Sequence, residues 1–193
     1  MIKKIYGSRL QTRQITMVGL LFAVTIVLGA TGLGFLPIPP FKTTIMHIPV
    51  IIGGIVGGPI VGAITGLLFG IFSIIQAIDT PLPTSFIFMN PVVSVLPRVL
   101  IGIVSYYVYK IIKKKSEKAG VVTGIIAGSF TNTLGVLAMI YLLYIDAYAK
   151  ALHISYSTAV KSLLLLVANG VLSAAMALVI SVPIILIVKK IKR

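Results

Sequence analysis

The sequence predicts an all-α integral membrane protein, one domain over residues 1–193, with six transmembrane helices and both termini cytoplasmic. Three observations predict it. Hydrophobic residues make up 58% of the chain, charged residues 10%, and the mean hydropathy is +1.12. A soluble domain carries about 25% charge, and a disordered one lacks such hydrophobicity. Several apolar runs are long enough to cross a bilayer. Finally, 13 of the 17 Lys and Arg residues fall in three clusters that border those runs. These are Lys3, Lys4, Arg9 and Arg13; Lys110, Lys113, Lys114, Lys115 and Lys118; and Lys189, Lys190, Lys192 and Arg193. Cytoplasmic loops have this composition under the positive-inside rule.

The net charge of +14 does not imply nucleic acid. No basic stripe alternates with exposed aromatics, as single-strand binding requires. There are no cysteines, so disulfides, thiol nucleophiles and Cys-ligated metals are excluded.

The first span runs from Ile15 to Phe35, 21 residues, or roughly 30 Å of helix. It is too long for a signal-peptide core, no small-residue cleavage site follows, and it reads as a retained helix. The second segment, about Phe41 to Val56, is short and interrupted. The third runs from Pro59 to Ile78, the fourth from about Pro91 to Ile112, the fifth from Ala119 to about Tyr144 and the sixth from about Thr158 to Val188.

Parity decides the second segment. The N-terminal and Lys110–Lys118 clusters belong on one side, so an even number of crossings separates them. Counting segment two gives four, and the last two spans return the C-terminal cluster to the same side. Outside then lie Leu36 to Pro40 with the approach to His47, Asp79 to Asn90, and Ile145 to Ser157. Proline-stiffened outer loops suit a lid over a site, and ordinary connectors use proline as well. Gly54, Gly58, Gly62, Gly66 and Gly70 recur at every fourth position, a spacing that lets helices approach closely. Gly19 and Ala23 form a small-xxx-small pair on the first helix, suited to internal packing or to docking another membrane protein.

An ionisable residue within a span is a functional candidate by default. Arg98 lies about two turns into the fourth span, and no acid falls on any predicted span at its depth. It either snorkels to the outer interface or awaits a ligand carboxylate or phosphate, which a guanidinium binds bidentately. Asn132, Asn169, His47, Gln76 and Asn90 fall in the same outer half. Each amide either bonds a neighbouring helix or joins Arg98 in a polar pocket for a small solute. His47 either caps a loop or contacts the ligand. Paired carboxylates, a His/Asp/Glu metal cluster, a triad pattern and a phosphate-binding loop are all missing. No enzyme activity, metal or cofactor is expected. Residues alone predict a six-helix membrane protein with an outward-facing, anion-tolerant pocket.

The chain also resembles a known family. The stretches His47-Ile48-Pro49-Val50-Ile51-Ile52-Gly53, Gly57-Gly58-Pro59-Ile60-Val61-Gly62-Ala63, Pro97-Arg98-Val99-Leu100-Ile101-Gly102 and Thr131-Asn132-Thr133 are similar to the substrate-binding S components of energy-coupling factor (ECF) vitamin transporters of prokaryotes. The likeness extends over nearly the whole chain. It implies high-affinity capture of a vitamin beneath the loop after helix one, in a protein of the prokaryotic cell membrane. Docking on a transmembrane T component that carries two ATPases would follow, with toppling of the S component to release the vitamin inside. Gly19 and Ala23 would contribute to docking, with Gly19 standing where the family's signature has alanine. The Pro39–Thr44 stretch and the Pro-Arg motif most resemble members assigned to pantothenate. On that likeness Arg98 meets the carboxylate, Asn132 and Asn169 meet hydroxyls or the amide, and Lys42 adds a lid charge. Riboflavin or a vitamin B6 compound remains an alternative, as does a stand-alone organic-anion transporter or a purely structural membrane protein.

Overall fold

The computed structural model describes residues 11–38 and 41–191. Five helices are long and apolar enough to cross a membrane: α1 (Thr12–Ala30), α3 (Pro59–Asp79), α5 (Pro91–Ile112), α6 (Glu117–Ala151) and α7 (Tyr156–Ile191). Their outward faces carry large apolar side chains such as Leu20, Ile71, Leu142, Leu164 and Val179. A water-soluble bundle does not expose them so densely, whereas lipid accepts them.

Local chemistry sets the helix ends. A capping box joins Gln11 and Gln14 at the start of α1. Asn90 Oδ1 accepts from the Val92 N–H at 2.9 Å, and Pro91 follows at the first position of α5. Ser116 caps α6, and His153, at φ 55°, ends it in the left-handed conformation. Without Pro or Gly between Tyr144 and Ser157, α6 and α7 run past their predicted limits to within a four-residue connection, 152–155. They leave little of the Ile145–Ser157 loop.

The second segment differs most from expectation. Its first part is not helical. Phe35–Ile38 (β1) and Phe41–Thr44 (β2) pair as an antiparallel hairpin, with Phe35 opposite Thr44 and Ile38 opposite Phe41. A ten-residue helical stretch follows, made of α2 (Ile48–Ile52) and a π-helical turn, Gly53–Gly57. At about 1.5 Å per residue it is roughly 15 Å long, half of a span. Met46, His47, Ile48, Val50 and Ile51 are buried. The turn that enters α2 thus runs through protein, where a bilayer tolerates non-helical backbone. Gly58, at φ 102°, makes the reversal into Pro59, a conformation that glycine adopts at little cost. A short helix, α4 (Ser85–Phe88), lies between α3 and α5.

Glycine brings α3 against α5. An added Cβ would sit 2.8 Å from the Gly102 Cα at Gly62, 2.7 Å from the Arg98 carbonyl carbon at Gly66, and 2.7 Å from the Val95 Cα at Gly70. Gly54 meets the Gly102 backbone from the π-helical turn. Gly58 leaves the stripe, since it has open space and serves the turn. Gly124, Gly128 and Gly135 on α6 similarly admit Ser105, Tyr109 and Pro97 of α5.

An apolar groove of about 440 Å³ runs between α1 and α7, lined by Met17, Leu20 and Val24 on one side and Ile180, Ile184 and Val188 on the other. The beginning of α1 and the end of α7 are therefore level. Lys189 pairs with Glu117 at 3.6 Å and donates to the Tyr109 hydroxyl. These contacts gather the ends of α5 and α7 and the start of α6 at what we term the lysine end, opposite the hairpin end.

Candidate binding site

Two apolar clusters fill the bundle. One, including Ile51, Ile55, Ile101, Val121, Ile125 and Ile185, lies toward the lysine end. The other, including Ile87, Val93, Ile140, Tyr148 and Leu163, lies toward the hairpin end. Between them is a polar layer. The layer is fixed by helix crossings: Gly135 abuts Pro97 across α5 and α6, and Gly170 abuts Thr133 across α6 and α7. These contacts bring Arg98, Asn132 and Asn169, which flank them in sequence, to one level of the bundle.

Arg98 is 7% exposed. Its Nη1 donates to the Val93 carbonyl at 2.9 Å. The rings of Phe69 and Phe88 stand 5.6 and 5.8 Å from its Cζ, within cation–π range. No salt bridge reaches it among the described residues, and its Nε is buried without a hydrogen-bond partner there. Burying an unpaired guanidinium is unfavourable unless something compensates it. The site therefore favours a negative group.

Asn132 is buried, and its Oδ1 likewise lacks a partner among the described residues. One turn toward the lysine end, Ser129 Oγ lies 3.1 Å from His47 Nε2. His47 is fully buried, with Nδ1 unpartnered there. Asn169 is half-buried and already has an interaction. One turn farther along α7, Ser173 donates to the Thr44 carbonyl at 2.9 Å, fastening the end of the hairpin to α7.

The other sequence candidates have scaffold partners. Asn90 caps α5 and donates from Nδ2 to the Tyr144 hydroxyl at 2.8 Å. Gln76 donates to the Gly29 carbonyl at 3.3 Å, completing the last turn of α1. Lys42 is on β2, opposite Pro37, and its side chain lies outside the described part. Gly19 and Ala23 face outward from α1, with open space at Gly19. Phe69, Phe88, Ser129 and the Val93 carbonyl were not among the candidates read from sequence. The spacing of Val93 four residues before Pro97 was the one available signal.

The fold is a membrane bundle of apolar helices with a buried arginine that has no acid beside it among the described residues. The chain belongs to the ECF transporter substrate-specific component family, whose model matches residues 13–185. It is a transporter subunit and a multi-pass protein of the prokaryotic cell membrane. It is 33% identical over 119 residues to the pantothenic acid transporter PanT of Lactococcus lactis subsp. cremoris. That similarity takes in 54% of this chain and 59% of the relative, so the chain spans about three-fifths of the curated relative it matches.

Proposed function

We propose that the chain is the vitamin-capturing subunit of an ATP-driven ECF importer and that its vitamin is pantothenate, held by its carboxylate on Arg98. The observation that carries this reading is a buried arginine with no acid beside it among the described residues. Pantothenate has one carboxylate, two hydroxyls and one amide. Asn132, with an unpartnered carbonyl oxygen, suits a hydroxyl or amide donor. Asn169 and His47 complete the polar layer, with Lys42 as a lid charge. The likeness to a pantothenic acid transporter supports the choice of vitamin.

Six crossings and two cytoplasmic ends fit this role. Four extended residues of β2 at about 3.3 Å and ten helical residues at about 1.5 Å give roughly 28 Å, enough for a second crossing. The lysine end then faces the cytoplasm. Gly19 and Ala23 offer close approach to a T component, which would carry two ATPase subunits.

Native mass spectrometry of the detergent-purified chain tests the reading. Co-purified pantothenate is the expected result. A different bound vitamin would overturn the substrate, and an empty protein indifferent to a vitamin panel would overturn the receptor role. In titration calorimetry, Asn132→Ala is expected to weaken pantothenate binding by about 1–2 kcal/mol, and unchanged affinity would remove Asn132 from the site. Gly19→Leu with Ala23→Leu is expected to leave binding by the isolated chain intact and to abolish ATP-dependent uptake in vesicles holding the T and ATPase subunits. Normal uptake would move docking off this face.

A further inference from the structure

We infer that Pro97 is a positioning residue for Arg98, because it removes the backbone donor that would occupy the carbonyl on which Arg98 is pinned. The inference rests on the reading of Arg98 as the carboxylate's partner and adds how the guanidinium is aimed. In a regular α-helix a carbonyl accepts from the N–H four residues later. Proline has no N–H, and its ring pushes against the carbonyl four residues before it. Pro97 lies inside α5, and the carbonyl it leaves undonated is that of Val93. Arg98 Nη1 donates to that same oxygen at 2.9 Å.

The geometry follows from helix stereochemistry. Side chains tilt toward the helix N-terminus. An arginine directly after the proline therefore reaches back to the displaced carbonyl along its own helix. Phe69 from α3 and Phe88 from α4 flank the guanidinium. Gly66 lets α3 close on the Arg98 backbone, which brings Phe69, one turn later on the same helix, to the arginine. With Nη1 tied down, the opposite edge of the guanidinium, Nε with Nη2, is left to fork onto two carboxylate oxygens. Nε is buried and unpartnered among the described residues. The proline thus does more than bend a helix: it fixes which edge of the arginine meets the ligand.

The test compares wild type, Pro97→Ala and Arg98→Ala as purified full-length chains. Alanine returns an N–H to Val93 and favours helix, so the fold is retained. The first readout needs no ligand. The chain has four arginines, so nitrogen-15 arginine labelling yields few guanidinium signals, and the one lost in Arg98→Ala is assigned. Hindered rotation of its Nη groups is expected in wild type and fast rotation in Pro97→Ala. Equal rotation in both would overturn the inference.

The second readout is the affinity for pantothenate against pantothenol, the neutral alcohol that lacks the carboxylate. Pro97→Ala is expected to weaken pantothenate roughly 10- to 100-fold and pantothenol less than about threefold. Equal losses for the two ligands would make Pro97 a merely structural residue and overturn the inference. If Arg98→Ala leaves the preference for pantothenate unchanged, the carboxylate reading of Arg98 fails. The rotation measurement still decides by itself whether Pro97 sets the arginine's pose.

Discussion

Arg98→Ala is expected to weaken pantothenate binding by about 2–5 kcal/mol, roughly 30-fold to several thousand-fold. Part of that loss is the cost of a ligand carboxylate left without its partner in a desolvated layer. Arg98→Lys should recover little of it. An ammonium is a point charge and cannot span both carboxylate oxygens. It also cannot hold the Val93 carbonyl and the ligand in the same fixed plane. Equal affinity in wild type and Arg98→Ala would take Arg98 out of the site.

The same residue carries a second expectation of opposite sign. In the empty protein the guanidinium has a carbonyl and two aromatic faces, but no acid among the described residues. A buried charge compensated so lightly is a burden on stability. Arg98→Met keeps much of the volume and removes the charge. It should leave the ligand-free thermal midpoint unchanged or higher, while pantothenate no longer raises it. A structural arginine would behave in the reverse way, with a lower midpoint and retained ligand stabilisation. The trade of stability for function is the usual mark of a binding group.

Gly66→Val is expected to cost about 3 kcal/mol or more and to lower the thermal midpoint by roughly 6–12 °C. An added Cβ at Gly66 falls 2.7 Å from the Arg98 carbonyl carbon. The obstacle is backbone, which cannot rotate aside as a side chain does, so α3 and α5 must separate. Separation also withdraws Phe69 from the guanidinium, and pantothenate binding should fall with stability. Gly19→Ala is the control. Nothing lies within 4 Å of an added Cβ there, and alanine favours helix over glycine by up to about 1 kcal/mol. A stable Gly66→Val protein with normal binding would mean that the α3–α5 approach is not set by glycine.

Much of this was legible in the chain itself. Pro91–Ile112 was delimited from sequence at the residues the structure gives, because Pro91 opens the helix and a lysine run closes it. Arg98 was legible as an exception, since charge within an apolar run needs no fold to be seen. The glycine stripe was legible as close approach, although Gly58, which keeps its period, serves the turn into Pro59 at a positive φ. The hairpin was not legible. Phe41–Thr44 forms a strand because its partners are Phe35–Ile38, and hydropathy does not report pairing. Nor was the division of labour among the polar residues. Asn90 and Gln76 look like Asn132 in sequence, yet Asn90 caps a helix and Gln76 completes one.

The sequence by itself determined the membrane character, the long helices, the basic flanks and the isolated arginine. Each is a property of neighbours along the chain: hydropathy over about 20 residues, or a charge set among apolar residues. The tertiary structure decided what the arginine faces, that the Asn132 oxygen has no partner among the described residues, and where the polar layer lies between two apolar clusters. Those outcomes depend on contacts across great sequence separations. His47 meets Ser129 82 positions away, and Ser173 holds Thr44 across 129. Only a closed bundle brings such groups within hydrogen-bonding reach. Burial without water then makes the difference between a partnered and an unpartnered polar atom large enough to define a site.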